Sequence, residues 1–294
     1  MNINSIKKYI LRNTVWKSRL LSKLFYISEI YFRHRVLNYS RPLIVYTMGK
    51  TGTKSIYNSL LTANLRRPLF YLHCLSREGT FFANRLSMTS AHSAPVKNYW
   101  VSLYLNKIIS GNSNISFDLI SCVRDPIAVN ISGFFQTIEH WIPNFNSMLR
   151  NKSIDIQDMV KIFFDQYPHN FPLNWFDNEV RNIFDVDVYD SNYNHDTGYQ
   201  SIQNNKAHMV IFRLDKLEKF CAVGLQKELN LHNIKLSKHN ISKNKSYGKI
   251  YNSFLDTIQI PEDYLNMMYK SKMAKHFYSS EELDTLKQNW KNRR

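Results

Sequence analysis

Hydrophobic and polar positions along the 294 residues alternate between short apolar runs and longer amphipathic stretches. Runs rich in β-branched and aromatic residues, bounded by turn signals, predict strands at residues 42 to 47 (PLIVYT), 69 to 75 (LFYLHCL), 117 to 123 (FDLISCV) and 208 to 213 (HMVIFR). Helical spacing fills the intervals: 55 to 65 after the first strand, 97 to 110 before the third, and 126 to 140 after it. Pro126 stands in the first turn of that last helix, where a missing amide proton leaves no bond unmade. Residues 153 to 184 read as two helices separated by a break from Pro168 to Pro172, and Ser279 with Glu282 forms a capping box for a final basic helix. Strands alternating with helices predict an α/β fold with a mostly parallel sheet, whose ligands bind at the carboxyl ends of the strands.

The first 38 residues read differently. In "SIKKYILRNTVWKSRLLSKLFYISEIYFRHRVL" apolar residues mix with Lys, Arg and His throughout, which excludes a signal peptide or a membrane span and predicts a basic amphipathic helix. Two readings stay open for it: contact with an anionic membrane surface or a partner, or a helix packed on the domain. The expected division is therefore a helical segment at 1–38 and one α/β domain with a helical C-terminal extension at 39–294.

Composition adds a strong charge and little else. A formal net charge of +16 exceeds what solubility needs and favours polyanionic ligands, without choosing among nucleic acid, acidic glycan, lipid or a multiply charged nucleotide. Cys74, Cys122 and Cys221 are odd in number and widely spaced, which suits reduced thiols better than a disulfide framework. Asp187, Asp190, His195 and Asp196 cluster in "DVDVYDSNYNHDTGYQ", but no spacing converges them on a metal, and the stretch reads as a polar loop.

The candidate chemistry begins behind the first strand, in Gly49-Lys50-Thr51-Gly52-Thr53-Lys54-Ser55. A glycine-containing turn leading into a helix aims backbone amides and the positive end of the helix dipole at one point, which suits phosphate or sulfate. The triphosphatase loop G-x-x-x-x-G-K-[ST] does not fit, because alignment on Lys54-Ser55 puts Met48 and Thr53 at its two glycines. Lys50 is then the lysine of interest. A second clue follows the third strand, in "VRDPIAVNIS": Arg124 stands at the strand end and Ser132 lies about two helical turns on, so both can face one anion, unless Arg124 is simply paired with Asp125.

Together the two motifs resemble the sulfotransferases that use 3′-phosphoadenosine-5′-phosphosulfate (PAPS). Lys50 to Ser55 is similar to that family's 5′-phosphosulfate loop, and Arg124-Asp125-Pro126 with Ser132 to its 3′-phosphate motif. Arg213-Leu214-Asp215-Lys216-Leu217 resembles the family's late strand and helix, without its glutamate, and speaks to fold only. A narrower resemblance, in "NISKNKSYGKIYNSF", is to the Asn-Lys-Trp-Tyr-Ser signature of a bacterial group assigned to capsular polysaccharide synthesis: Asn244, Lys245 and Tyr247 match, whereas Ser246 and Gly248 replace the Trp and Ser.

The resemblance implies a P-loop-like three-layer fold and sulfuryl transfer to a carbohydrate hydroxyl in the cytoplasm, with PAPS as donor, a glycan acceptor, no metal and no specific nucleic acid. Peripheral contact with the inner face of the membrane would come from the N-terminal helix. Lys50 would stabilise the bridging oxygen, Gly49 to Ser55 would cradle the 5′-phosphate, and Arg124 with Ser132 would hold the 3′-phosphate. His73, near the second strand's end, is the candidate base, with Glu78 as rival and a packed core histidine as the plain alternative. His92 is a further loop histidine, and Lys245 and Tyr247 would close over the nucleotide unless they belong to a solvated basic loop. A kinase with a degenerate loop and a non-catalytic polyanion-binding protein remain competing readings.

Overall fold

The computed structural model describes residues 18–34, 41–63, 65, 67–87, 97–111, 115–236 and 247–293. His92, Asn244 and Lys245 lie outside the described residues.

A five-stranded sheet in the order β2-β1-β3-β5-β4 organises the chain. Its strands are β1 (Leu43–Tyr46), β2 (Leu69–Leu72), β3 (Phe117–Val123), β4 (Tyr199–Gln203) and β5 (Ala207–Arg213). The first three and β5 run parallel, and β4 closes one edge antiparallel to β5. The four strands expected from apolar runs are present, somewhat shorter at β1 and β2. β4 falls partly inside the stretch read as a polar loop: Tyr-Gln-Ser-Ile-Gln alternates without an apolar run, as suits an edge strand.

Side chains alternate across the central strands and feed two cores. Ile44, Tyr46, Leu119, Met209 and Ile211 face one side, and Leu43, Val45, Ile120, Val210 and Phe212 the other. The first face is covered by α1 (Arg19–His34), α4 (Lys97–Ser110) and a helix comprising α9 (Phe171–Trp175), a π-helical stretch (Phe176–Arg181) and a last turn (Asn182–Phe184). The second is covered by α2 (Thr53–Thr62) and α10 (Leu217–Leu229). This is the three-layer α/β arrangement that burial of both sheet faces demands.

Between α2 and α4 stands α3 (Arg77–Ser87), which no sequence signal announced. The helix expected at 126 to 140 divides into α5 (Pro126–Gln136) and α6 (Ile138–Trp141). Beyond these come α7 (Phe145–Asn151), α8 (Ile156–Gln166), α11 (Gly248–Thr257), α12 (Glu262–Tyr269), α13 (Lys272–Phe277) and α14 (Ser280–Lys291). A third apolar cluster joins Ile131, Phe134 and Phe135 of α5 to Phe163, Phe254, Leu265 and Trp290. The Ser279–Glu282 capping box is formed at the start of α14. All three cysteines are free and buried.

The chain leaves β1 towards β2 on one side and enters β3 on the other. The order of connection therefore reverses between β1 and β3, and the loops after those two strands border one crevice.

Candidate active site at the strand ends

The loop after β1 holds three left-handed conformations within four residues. Gly49, Lys50 and Gly52 all have positive φ, at 84°, 58° and 79°. The positive φ of Gly52 favours glycine there, and a Cβ would also displace the tip of the Leu214 side chain. The hydroxyls of Thr47 and Thr51 bond each other at 2.6 Å and tie the loop across its base. Gly52 is the N-cap of α2 and makes no side-chain cap bond; the Ser55 amide donates to its carbonyl at 3.1 Å, and the helix N-terminus behind the loop is the kind of place that attracts an anion. Thr51 and Thr53 are buried, and the Thr53 hydroxyl lies 3.5 Å from that of Tyr71. Their side chains are thus turned into the fold, and an anion would meet the backbone of the loop, Lys50, and the more exposed Lys54 and Ser55.

Arg124 follows β3 and reaches across to this loop. Its Nη1 donates to the Lys50 carbonyl at 3.1 Å and to Ser132 Oγ at 3.2 Å. The two motifs, some seventy residues apart in the chain, meet through one guanidinium. Asp125 does not neutralise it: its Oδ1 accepts from the Ile127 amide at 3.1 Å and the Tyr269 hydroxyl at 3.0 Å, and its Oδ2 from Trp290 Nε1 at 2.8 Å. The contrast with Arg213, at the end of the neighbouring β5, is informative. Arg213 contacts Asp215 at 2.6 Å and Glu282 at 2.7 Å and lies over the Tyr278 ring, a locked structural cation. Among the described residues Arg124 is hydrogen-bonded by neutral oxygens, which leaves its charge for an anionic ligand.

His73 comes one residue after β2, beside Thr47. Its Nδ1 lies 2.8 Å from the Thr47 carbonyl, an acceptor only, so Nδ1 carries the proton and Nε2 keeps its lone pair. Burial, together with the positive charge of Lys50, lowers its pKa from the ordinary histidine value against the opposing effect of the Thr47 bond. The ring also packs on the loop, 3.6 Å from where a Cβ on Gly49 would stand. Glu78, the rival base, is an exposed residue of the first turn of α3.

Two residues hold this strand end that the sequence marks only as part of "NWFDNEVRNIFDVDVY", a stretch similar to the Asn-Lys-Trp-Tyr-Ser group, with no role for either. Trp175 Nε1 donates to the His73 carbonyl at 2.8 Å. Glu179, 2% exposed in the π-helical stretch, accepts through Oε2 from the Tyr46 hydroxyl and the amides of Leu75 and Ser76, and through Oε1 from Ser76 Oγ, all within 2.8 Å. Trp175 and Glu179 stand four residues apart, at the end of α9 and in the π-helical stretch that continues it, and both reach the same strand end.

From Lys50 and His73 a cavity of about 990 Å³ opens between α3, α4, α5 and the segment Tyr167 to Phe171. Phe82, Tyr99, Phe135, Tyr167, Phe171 and Tyr247 supply aromatic surface, and Asn84, Asn98, Gln136, Asn144 and Asn146 supply amides. Among the described residues, Glu139 is the one carboxylate that lines it. Tyr247 stands in its wall against Phe135, with ring centroids 5.6 Å apart. Arg124 and Ser132 lie behind Lys50, outside this cavity. The cations of Lys50 and Arg124 thus stand at one end of a cavity whose walls are mainly aromatic and amide side chains. Asp187, Asp190, His195 and Asp196 take no part: Asp187 pairs with Arg181, and His195 bonds the His276 carbonyl.

Residues 148–279 match the model of the NKWYS family, described as "Putative capsular polysaccharide synthesis protein". The match connects this stretch of the chain with polysaccharide synthesis. It contains Trp175, Glu179 and Tyr247 but neither the loop after β1 nor Arg124 and Ser132. No curated protein and no solved structure matches the chain.

Proposed function

We propose that the protein is a sulfotransferase that moves the sulfuryl group of PAPS to a carbohydrate hydroxyl in the synthesis of a capsular or other surface polysaccharide. The observation that carries this reading is the Arg124 guanidinium bonded to both Ser132 and the Lys50 carbonyl, with no carboxylate bonded to it among the described residues. A donor with a phosphate at the 3′ position and a charged group at the 5′ position fits that spacing of two cationic points, and an ordinary adenine nucleotide fills only one. The residues fit PAPS on the chemistry of their donors: the helix N-terminus at the start of α2, Lys50 at the mouth, and Arg124 with Ser132 behind it.

Bound PAPS supplies a sulfuryl group on a phosphate that is a good leaving group. Lys50 places its ammonium group where negative charge gathers on the departing oxygen, and the loop amides share that charge. His73 Nε2 would take the proton from the acceptor hydroxyl as its oxygen bonds the sulfur and the sulfur's bond to the 5′-phosphate oxygen breaks, leaving 3′-phosphoadenosine-5′-phosphate. Its lowered pKa keeps it unprotonated near neutrality. The aromatic and amide lining of the cavity suits a sugar, whose apolar faces stack on rings while its hydroxyls both donate to and accept from amides.

The test needs no acceptor. Calorimetric titration with 3′-phosphoadenosine-5′-phosphate, ADP and ATP in the absence of magnesium should show a clear preference for the 3′-phosphorylated nucleotide. That preference should disappear in Arg124→Ala. Equal or absent binding would overturn the reading in favour of a kinase or a polyanion-binding protein.

A further inference from the structure

α1 presents two opposite faces. One is docked: Ser22 is fully buried and accepts a bond from Trp100 Nε1 at 2.7 Å, and Tyr26 is 8% exposed in the core. On the opposite side Leu20, Leu24 and Ile27, with Leu21 beside them, are exposed at 65%, 59%, 38% and 44%. Positions 20, 24 and 27 fall within one side of an α-helix, so these residues form a continuous aliphatic strip along it. Arg19 and Lys23 are exposed at its border.

We infer that this strip is a docking face for an anionic lipid surface, an inference independent of the proposed sulfuryl transfer. The charge around it selects that occupant. Glu29 is the sole carboxylate in residues 1–38, which also contain Lys7, Lys8, Arg12, Lys17, Arg19 and Lys23. Aliphatic side chains flanked by lysine and arginine match the acyl boundary and phosphate headgroups of an anionic bilayer. A second copy of the chain, which also carries +16, would bring like charges together across the same strip. Among the described residues no helix is long and apolar enough to cross a membrane, so the contact would be peripheral.

The placement matters for the cavity. Trp100 of α4 packs towards α1, while Asn98, Tyr99 and Ser102 of the same helix line the cavity. A bilayer against α1 would thus stand one helix layer from the acceptor wall.

Flotation of the full-length protein with phosphatidylglycerol-containing vesicles tests the inference. Binding should be strong at low salt, weak with pure phosphatidylcholine, and at least about tenfold lower in Leu20→Gln/Leu24→Gln. Both positions are exposed, and unchanged far-ultraviolet dichroism would show the fold kept. Should the double variant not fold, the emission of Leu20→Trp serves instead: a shift to shorter wavelength with anionic vesicles is expected. Equal binding by variant and wild type, no binding by the wild type, no spectral shift, or a wild-type dimer dissociated by the double substitution would each overturn it.

Discussion

Arg124 Nη1 donates to the backbone carbonyl of Lys50 at 3.1 Å, so the orientation of the loop after β1 is tied to a side chain that follows another strand. The same nitrogen reaches Ser132 Oγ. Removing the guanidinium therefore removes a ligand and a loop support together, whereas Ser132→Ala removes a single donor. Arg124→Ala should weaken 3′-phosphoadenosine-5′-phosphate binding about 10- to 100-fold, as expected for a charge-assisted contact, and Ser132→Ala only a few-fold. Arg124→Lys keeps the charge but not the fork and should fall between them. Titration of the three variants with ADP as the control checks this, since loss of ADP binding to the same extent would point to a collapsed loop instead.

His73 sets the expected pH dependence. A base must be unprotonated to act, and burial together with Lys50 lowers the His73 pKa, so the acid limb of kcat/KM should fall below the ordinary value of 6.5. Lys50→Gln removes one of the lowering influences and should move the limb upward while reducing the rate. His73→Gln should abolish the limb and cost about 10²- to 10⁴-fold in kcat, with nucleotide affinity little changed. A limb that stays in place in His73→Gln would assign the base elsewhere.

What the sequence made legible follows from locality. The glycine-containing turn after β1, the meeting of Arg124 with Ser132, the capping box of α14 and the buried central strands are signalled by residues next to one another or one helical face apart. Glu179 was not legible, because "NWFDNEV" gives no sign of a carboxylate that meets Ser76 from 103 residues away. α3 escaped for a related reason: Gly79, a poor helix former, sits in its first turn because a Cβ there would come 2.0 Å from Glu179 Oε1. The local rule yields to a tertiary contact. Glu78 looked equivalent to His73 in sequence, and only the end of β2 separates a ring turned onto the loop from a carboxylate on the surface of α3.

Glu179 leads to a prediction of its own. Glu179→Ala leaves two amides and two hydroxyls without their acceptor in a buried place and should cost about 3–5 kcal/mol of stability by denaturant unfolding. Glu179→Gln keeps Oε2 for three donors, and the new amide can donate to Ser76 Oγ, so its loss should be less than half as large. Because Leu75 and Ser76 anchor the loop after His73, the alanine variant should also lower kcat more than nucleotide affinity. Equal destabilisation by both substitutions would show that the carboxylate is not held by these donors.

Asp125 and Trp290 connect stability to pH. Burial raises the Asp125 pKa above the usual carboxylate value, and the bonds from Trp290, Tyr269 and the Ile127 amide oppose that rise. A carboxyl group with a raised folded pKa contributes stability that is complete below its unfolded pKa and is lost as pH rises through the folded one. Trp290→Phe withdraws the donor to Oδ2 and should raise the folded pKa further, so ionised Asp125 becomes harder to hold. The variant should be about 1–3 kcal/mol less stable than wild type near pH 7, beyond any loss of packing, and the gap should narrow as Asp125 protonates towards about pH 4. Denaturant titrations of both proteins across that range decide it. A gap that does not change with pH would mean that Trp290 acts on α5 only by packing, and that its bond to Asp125 carries no charge-dependent stability.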